Sequence, residues 1–123
     1  MNIIFETTEK FDKDLHKFND VEQKMIAEHI DTYGQTLKNK KTGMGRGVFQ
    51  PCEIKLINGY VSSLYALKVK QNIRVLMTID VDTIFDQKII TLLRVVNNTN
   101  LLKAFNSTSK SLYQVERLLN VSS

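Results

Sequence analysis

The 123-residue chain has no tryptophan, one proline and one cysteine, and these shortages narrow the field. Cys52 alone cannot close an internal disulfide, and no CxxC or Cys/His cluster stands near it to hold zinc, so a reducing compartment and no metal are expected. No run approaches the ~18 apolar residues of a membrane span, and MNIIFETTEKFDKDL has no basic segment backed by an apolar one. A soluble, cytoplasmic protein without a membrane partner is expected. Low-complexity sequence is confined to one basic loop, and 42% hydrophobic content is too high for a disordered tail. The length suits one domain, 1–123, around a single core.

Charge is unevenly placed. Residues 1–34 hold eight acids and four bases, a balance of −4, whereas residues 35–123 hold thirteen bases and five acids, a balance of +8. A basic half on a small domain suits a polyanion such as nucleic acid, through phosphate neutralisation. A solvated basic surface is the equal alternative.

Periodicity orders the elements. Asn2–Phe5 reads as a strand. Phe11, Leu15 and Phe18 then recur at helical spacing behind Thr7 or Thr8 as N-cap. A second helix starts at Asn19-Asp20, with Glu22 and Gln23 placed as in a capping box, and carries Val21, Met25, Ile26, Ile30, Tyr33 and Leu37. Gly34 falls inside that stripe and is expected to weaken or end it. The stretch KNKKTGMGRGVFQ reads as a flexible basic loop, and its glycine spacing matches neither a P-loop nor a dinucleotide fingerprint, so no cofactor is expected.

After Pro51 the period becomes that of strands. Cys52, Ile54 and Leu56 alternate up to Asn58-Gly59, the strongest hairpin dipeptide. Val61–Val69, Ile73–Asp80 and Lys88–Val96 follow, the last apolar at nearly every position and so expected in a central place with both faces covered. A short helical stretch near Asn100–Phe105 and an amphipathic helix from Ser107, using Leu112, Val115 and Leu119, complete the chain. The expected class is α+β: an N-terminal strand and a helical hairpin packed on one face of a mainly antiparallel sheet, simplest as a meander, with a C-terminal helix. The other sheet face is then partly free to work.

His16 and His29 lie on the acidic helical segment, away from any nucleophile-elbow pattern, and support no catalytic triad. Asp80, Asp82 and Asp86 mark a turn, where aspartate serves local backbone hydrogen bonds, more than a metal site. Lys68 and Arg74 flank the turn at Lys70–Asn72 and are near neighbours across a hairpin, where two cations can meet one phosphate. Lys55 and Arg46 are candidates to approach the same face. Exposed cations that keep a half-wet sheet soluble are the alternative.

The run SLYALKVKQNIRVLMTID, followed by KIITLLRVV and preceded by the hairpin from FETTEKFDKDLHKF, resembles the RelE/ParE superfamily of bacterial type II toxins over nearly the whole chain, from Asn2 to about Phe105. The resemblance implies a toxin silenced by a cognate antitoxin in a toxin-antitoxin hetero-oligomer. In the RelE-like branch it implies an endoribonuclease, an mRNA interferase that enters the ribosome and inhibits translation by cutting mRNA. The ribose 2′-hydroxyl attacks the adjacent phosphate there, so the protein must orient RNA, neutralise the phosphorane and move protons. Carried over, Arg74 and Lys68 stand as the catalytic cations, and Lys55, Arg46, Arg94, Asn98 and Phe105 as RNA-binding residues. The chain departs where the family places a basic residue after the last strand, here Asn97-Asn98, and a C-terminal tyrosine, here nearest to Phe105; Tyr113 is a substitute if the last helix folds over the face. The ParE-like branch, which poisons DNA gyrase without catalysis, and a degenerate relative that only binds its partner are the alternatives.

Overall fold

The computed structural model describes residues 2–39, 45–52 and 62–122, the last nine by backbone alone. The N-terminal strand β1 (Asn2–Thr7) leads into α1 (Glu9–Leu15) and α2 (Asp20–Lys38). The strands β2 (Val48–Phe49), β3 (Leu64–Lys70), β4 (Ile73–Asp82) and β5 (Gln87–Asn97) come next, and a 3-10 turn at Asn98–Asn100 opens α3 (Leu101–Ser122). Both early helices start as the sequence indicates. Thr8 Oγ1 accepts from the Phe11 amide, and Asn19 Oδ1 accepts from the Glu22 amide at 2.8 Å, each satisfying a donor that the first turn leaves free.

The α+β class and the mainly antiparallel sheet expected from the sequence are both present. The sheet runs β1-β5-β4-β3-β2. Strands β2 to β5 form the antiparallel meander, and β1 lies parallel to β5, Asn2 opposite Gln87 and Thr7 opposite Leu92. A pure meander is therefore corrected by one parallel edge strand, and β5, covered on both faces, sits one place in from that edge.

Three other expectations change, and one set of readings is not tested. Val48–Phe49, read as loop, pairs with Leu67 and Ala66 as an edge strand. Lys55, with Ile54, Leu56 and the Asn58-Gly59 turn, lies outside the described residues, as do Lys40, Lys41 and Gly43 of the basic loop. Gly34 does not end α2; it is buried, and a Cβ there would stand 2.6 Å from Phe5 Cζ. The missing side chain thus makes room for the β1 ring. The two expected C-terminal helices are one, α3.

Strand alternation sends two apolar sets to opposite faces. Leu67, Val69, Val75, Met77, Ile79, Ile90, Leu92 and Val95 pack with Phe11, Ile26, Ile30, Tyr33 and Leu37 of the first two helices. Leu64, Ala66, Leu76 and Val96 pack with Leu101, Ala104 and Phe105 of α3. The second face is therefore largely roofed rather than free, and its uncovered part lies at the β3–β4 turn. Among the described residues no helix is long and apolar enough to cross a membrane.

Candidate phosphate-binding site

Register places Lys68 directly opposite Arg74 and Arg74 opposite Val96, on the α3 side of the sheet. Lys68 is exposed, whereas Arg74 is only 8% exposed. Arg74 Nη1 donates to three carbonyls of the turn, those of Lys70 at 2.7 Å, Gln71 at 3.1 Å and Ile73 at 3.1 Å. These bonds pin the guanidinium over the turn. Its Nε is enclosed without a partner, and among the described residues no carboxylate pairs with it. Asp80, six residues along β4, is ~20 Å away by strand rise. The guanidinium charge is thus met by carbonyl dipoles and, among the described residues, by no carboxylate, which makes this end of the sheet a candidate for an anion.

Asn98 joins this end of the sheet. Its amide donates to the Asn72 carbonyl at 2.7 Å, which ties the 3-10 turn to the β3–β4 turn, and its side chain is exposed. Lys68, Arg74 and Asn98 therefore share one edge, with Lys70 at the same turn.

The remaining sequence candidates do not assemble there. Arg46 lines a cleft with His29, Thr32, Tyr33, Thr36 and Leu67; Leu67 points to the α2 face, so Arg46 is on the side away from Lys68. Phe105 is wholly buried in the α3 core, where its ring fills volume and cannot stack on a base. Tyr113 does fold over the sheet, but its hydroxyl lies 2.7 Å from Ser62 Oγ, at the start of β3 rather than its end. The phenol is thus ~20 Å from Arg74 along the strand.

Arg94 has a structural partner. β1 stops opposite Leu92, and the freed edge of β5 is capped by α1 side chains: Thr8 Oγ1 donates to Leu92 O at 3.0 Å, and Asp14 Oδ2 accepts from the Val95 amide at 3.2 Å. A β-bulge shifts the register between Leu76↔Arg94 and Met77↔Leu92, which re-aims the side chain. Arg94 Nε then donates to Asp14 Oδ2 at 2.6 Å and Nη2 to Oδ1 at 3.2 Å. The signal was present in sequence: Asp14 sits on the stripe of Phe11, Leu15 and Phe18, and an acid on an apolar helix face needs a buried partner.

Of the three aspartates expected at the turn, Asp82 serves it, whereas Asp80 lies within β4 opposite Ile89. Asp82 Oδ1 accepts from the Ile84 and Phe85 amides, and its Oδ2 from Gln87 Nε2. Among the described residues no cluster of His, Cys, Asp and Glu is suited to a metal.

The chain is similar to two solved structures of toxin systems. One is a chain of the RelBE2 toxin-antitoxin complex from Mycobacterium tuberculosis, 13% identical with a TM-score of 0.47, the match covering 80% of this chain and 100% of that one. The other is a YoeB/ParE toxin from Agrobacterium tumefaciens, 10% identical with a TM-score of 0.46, covering 80% and 99%. No family model and no curated protein matches the sequence.

Proposed function

We propose that the protein is the toxin of a type II toxin-antitoxin system, a ribosome-dependent mRNA endoribonuclease held inactive by a cognate antitoxin. The observation that carries this reading is the Arg74 guanidinium: buried, pinned by three turn carbonyls, without a carboxylate among the described residues, and on a residue whose register partner across the strand pair is the exposed Lys68. The sequence resemblance to RelE-like toxins supplies the reaction. As the bond from the 2′-oxygen to phosphorus forms and the bond to the 5′-oxygen breaks, negative charge gathers on the phosphoryl oxygens. Arg74 and Lys68 stabilise it, and Asn98 positions the strand beside the turn. The proton of the attacking 2′-hydroxyl leaves to solvent water, and the Lys68 ammonium gives one to the departing 5′-oxygen and is reprotonated from solvent.

One observation favours a second reading. Among the described residues no imidazole or phenol stands beside Arg74, because Tyr113 lies at the far end of the face and both histidines are on the helices of the other face. That arrangement suits a gyrase poison with no proton transfer of its own.

Arg74→Ala decides between them when expressed from a tight promoter beside the parent. Transcripts cut during translation by the parent, with at least a 100-fold loss in the variant, are expected from a site worth roughly 2.7–4 kcal/mol to the transition state. A folded Arg74→Ala chain that still arrests growth removes the assignment. Intact transcripts with broken DNA would instead establish the gyrase reading.

A further inference from the structure

Where α1 and α3 flank the C-terminal half of β5, a cleft of about 460 Å³ opens that the Lys68–Arg74 pair does not use. Its walls bring together Lys17 from the turn after α1, Arg94 and Asn97 from β5, and Asn100 and Lys103 at the start of α3, against the single carboxylate of Asp14. That carboxylate is already engaged by two Arg94 nitrogens and the Val95 amide. Lys17 reaches it only at 3.9 Å, with its side chain 77% exposed, which is a weak, screened pair. Lys103 is exposed and has no ion pair among the described residues. The cleft is therefore net positive, with exposed lysines from the turn after α1 and from α3, one of them only weakly paired, and a partly exposed arginine beside them.

Its size falls within the range of roughly 300–1,000 Å³ typical of small-ligand clefts and admits a nucleotide-sized group. Val96, which also lines it, is the register partner of Arg74, so the floor lies one strand, ~5 Å, from the Arg74 backbone. The exposed amides of Asn97 and Asn100 both donate and accept, which suits ribose hydroxyls and base edges. A purely anionic peptide would use only the cations.

We propose that this cleft is a second RNA-binding site, in which Lys17 and Lys103 hold backbone phosphates of the single-stranded RNA that continues past Arg74. The inference rests on the RNA-directed reading above, yet it is read out by binding rather than by cleavage. Lys17 and Lys103 are expected to set affinity and its salt dependence, while Arg74 sets the reaction.

The test is fluorescence anisotropy of a short labelled oligouridylate with the full-length chain across a salt series, comparing the parent, the double variant Lys17→Gln/Lys103→Gln, and Arg74→Ala. Removing two phosphate contacts should weaken binding roughly 10- to 30-fold near 0.1 M salt and flatten the log–log salt slope by about 1.4. Arg74→Ala should flatten it by about half as much. A double variant with the parent's affinity and slope overturns the cleft and leaves the nuclease reading to be judged by Arg74 alone. Loss of binding in the double variant while Arg74→Ala stays toxic sinks the nuclease reading and upholds the cleft. If a polyglutamate peptide displaces the RNA from the parent as well as unlabelled oligouridylate does, and fails to bind the double variant, the cleft belongs to an acidic protein segment and the RNA proposal falls. Both lysines are exposed, so thermal melts of the double variant should match the parent; a Lys17→Arg/Lys103→Arg chain, which keeps the charge, should retain the full slope.

Discussion

Asp14 is where a single atom group holds together a helix, a strand edge and a cation, so its removal should be costly. In Asp14→Ala, Arg94 loses both charge-assisted bonds and the Val95 amide loses its acceptor. Breaking a buried pair from one side costs about 3–5 kcal/mol. The Arg94 side chain is 26% exposed and recovers some hydration, which brings that contribution down to about 2–3 kcal/mol; the orphaned amide adds about 1 kcal/mol. A total of about 3–4 kcal/mol is a large part of the ~5–15 kcal/mol that holds a domain of this kind together. Urea titration followed by circular dichroism is the assay. The midpoint should fall by about 2 M with an unchanged slope. Asp14→Asn, which keeps an acceptor for Val95 and removes only the charge, should lose about half as much. An Asp14→Ala midpoint within the error of the parent would refute the reasoning, because it would mean that β5 needs no cap beyond Leu92.

Gly34 and Tyr33 offer two further tests. Gly34→Ala should stay within about 1 kcal/mol of the parent, since the better helix propensity offsets displacement of a Phe5 ring that can swing toward solvent, whereas Gly34→Leu should cost about 1–3 kcal/mol by expelling it; equal melting temperatures for the two would refute the close approach. Tyr33 has its phenol pushed up to about 12 by burial and, secondarily, by Tyr65. An unfolded tyrosine ionises near 10, so the contribution of Tyr33 is complete below pH 10 and is lost as pH rises through 12, by up to roughly 2–3 kcal/mol. Tyr33→Phe should flatten the fall in urea midpoint over that window, and a fall as steep as the parent's would show that Tyr33 is not its cause.

Local rules carried most of the architecture. The caps at Thr8 and Asn19 are side-chain oxygens that accept from amides three residues on, and such bonds depend on nothing distant. The alternation of Ile73, Val75, Met77 and Ile79 likewise named the buried face of β4, because a pleated strand has a period of two wherever it lies. The pairing of Lys68 with Arg74 followed from a short polar turn between two strands. Where a glycine's role depended on a neighbour 29 residues away, as Gly34 depends on Phe5, local propensity pointed the wrong way.

By itself, then, the sequence determined the first two helices and the strands β1, β3, β4 and β5, the inward face of β4, and that Lys68 and Arg74 share one end of a hairpin. Only the tertiary structure decided what those residues meet. It set β1 parallel against β5 and stopped it at Leu92, so that Asp14 had to cap the exposed edge and claim Arg94. It buried Phe105 between α3 and the sheet and carried Tyr113 to the far end of the face, while Arg46 went to the other side with α2. It also gathered Lys17 and Lys103, 86 positions apart, onto one cleft. The physical reason is that hydrogen bonding within a segment is satisfied locally, whereas the fate of a charge or a ring depends on which distant surface is packed against it.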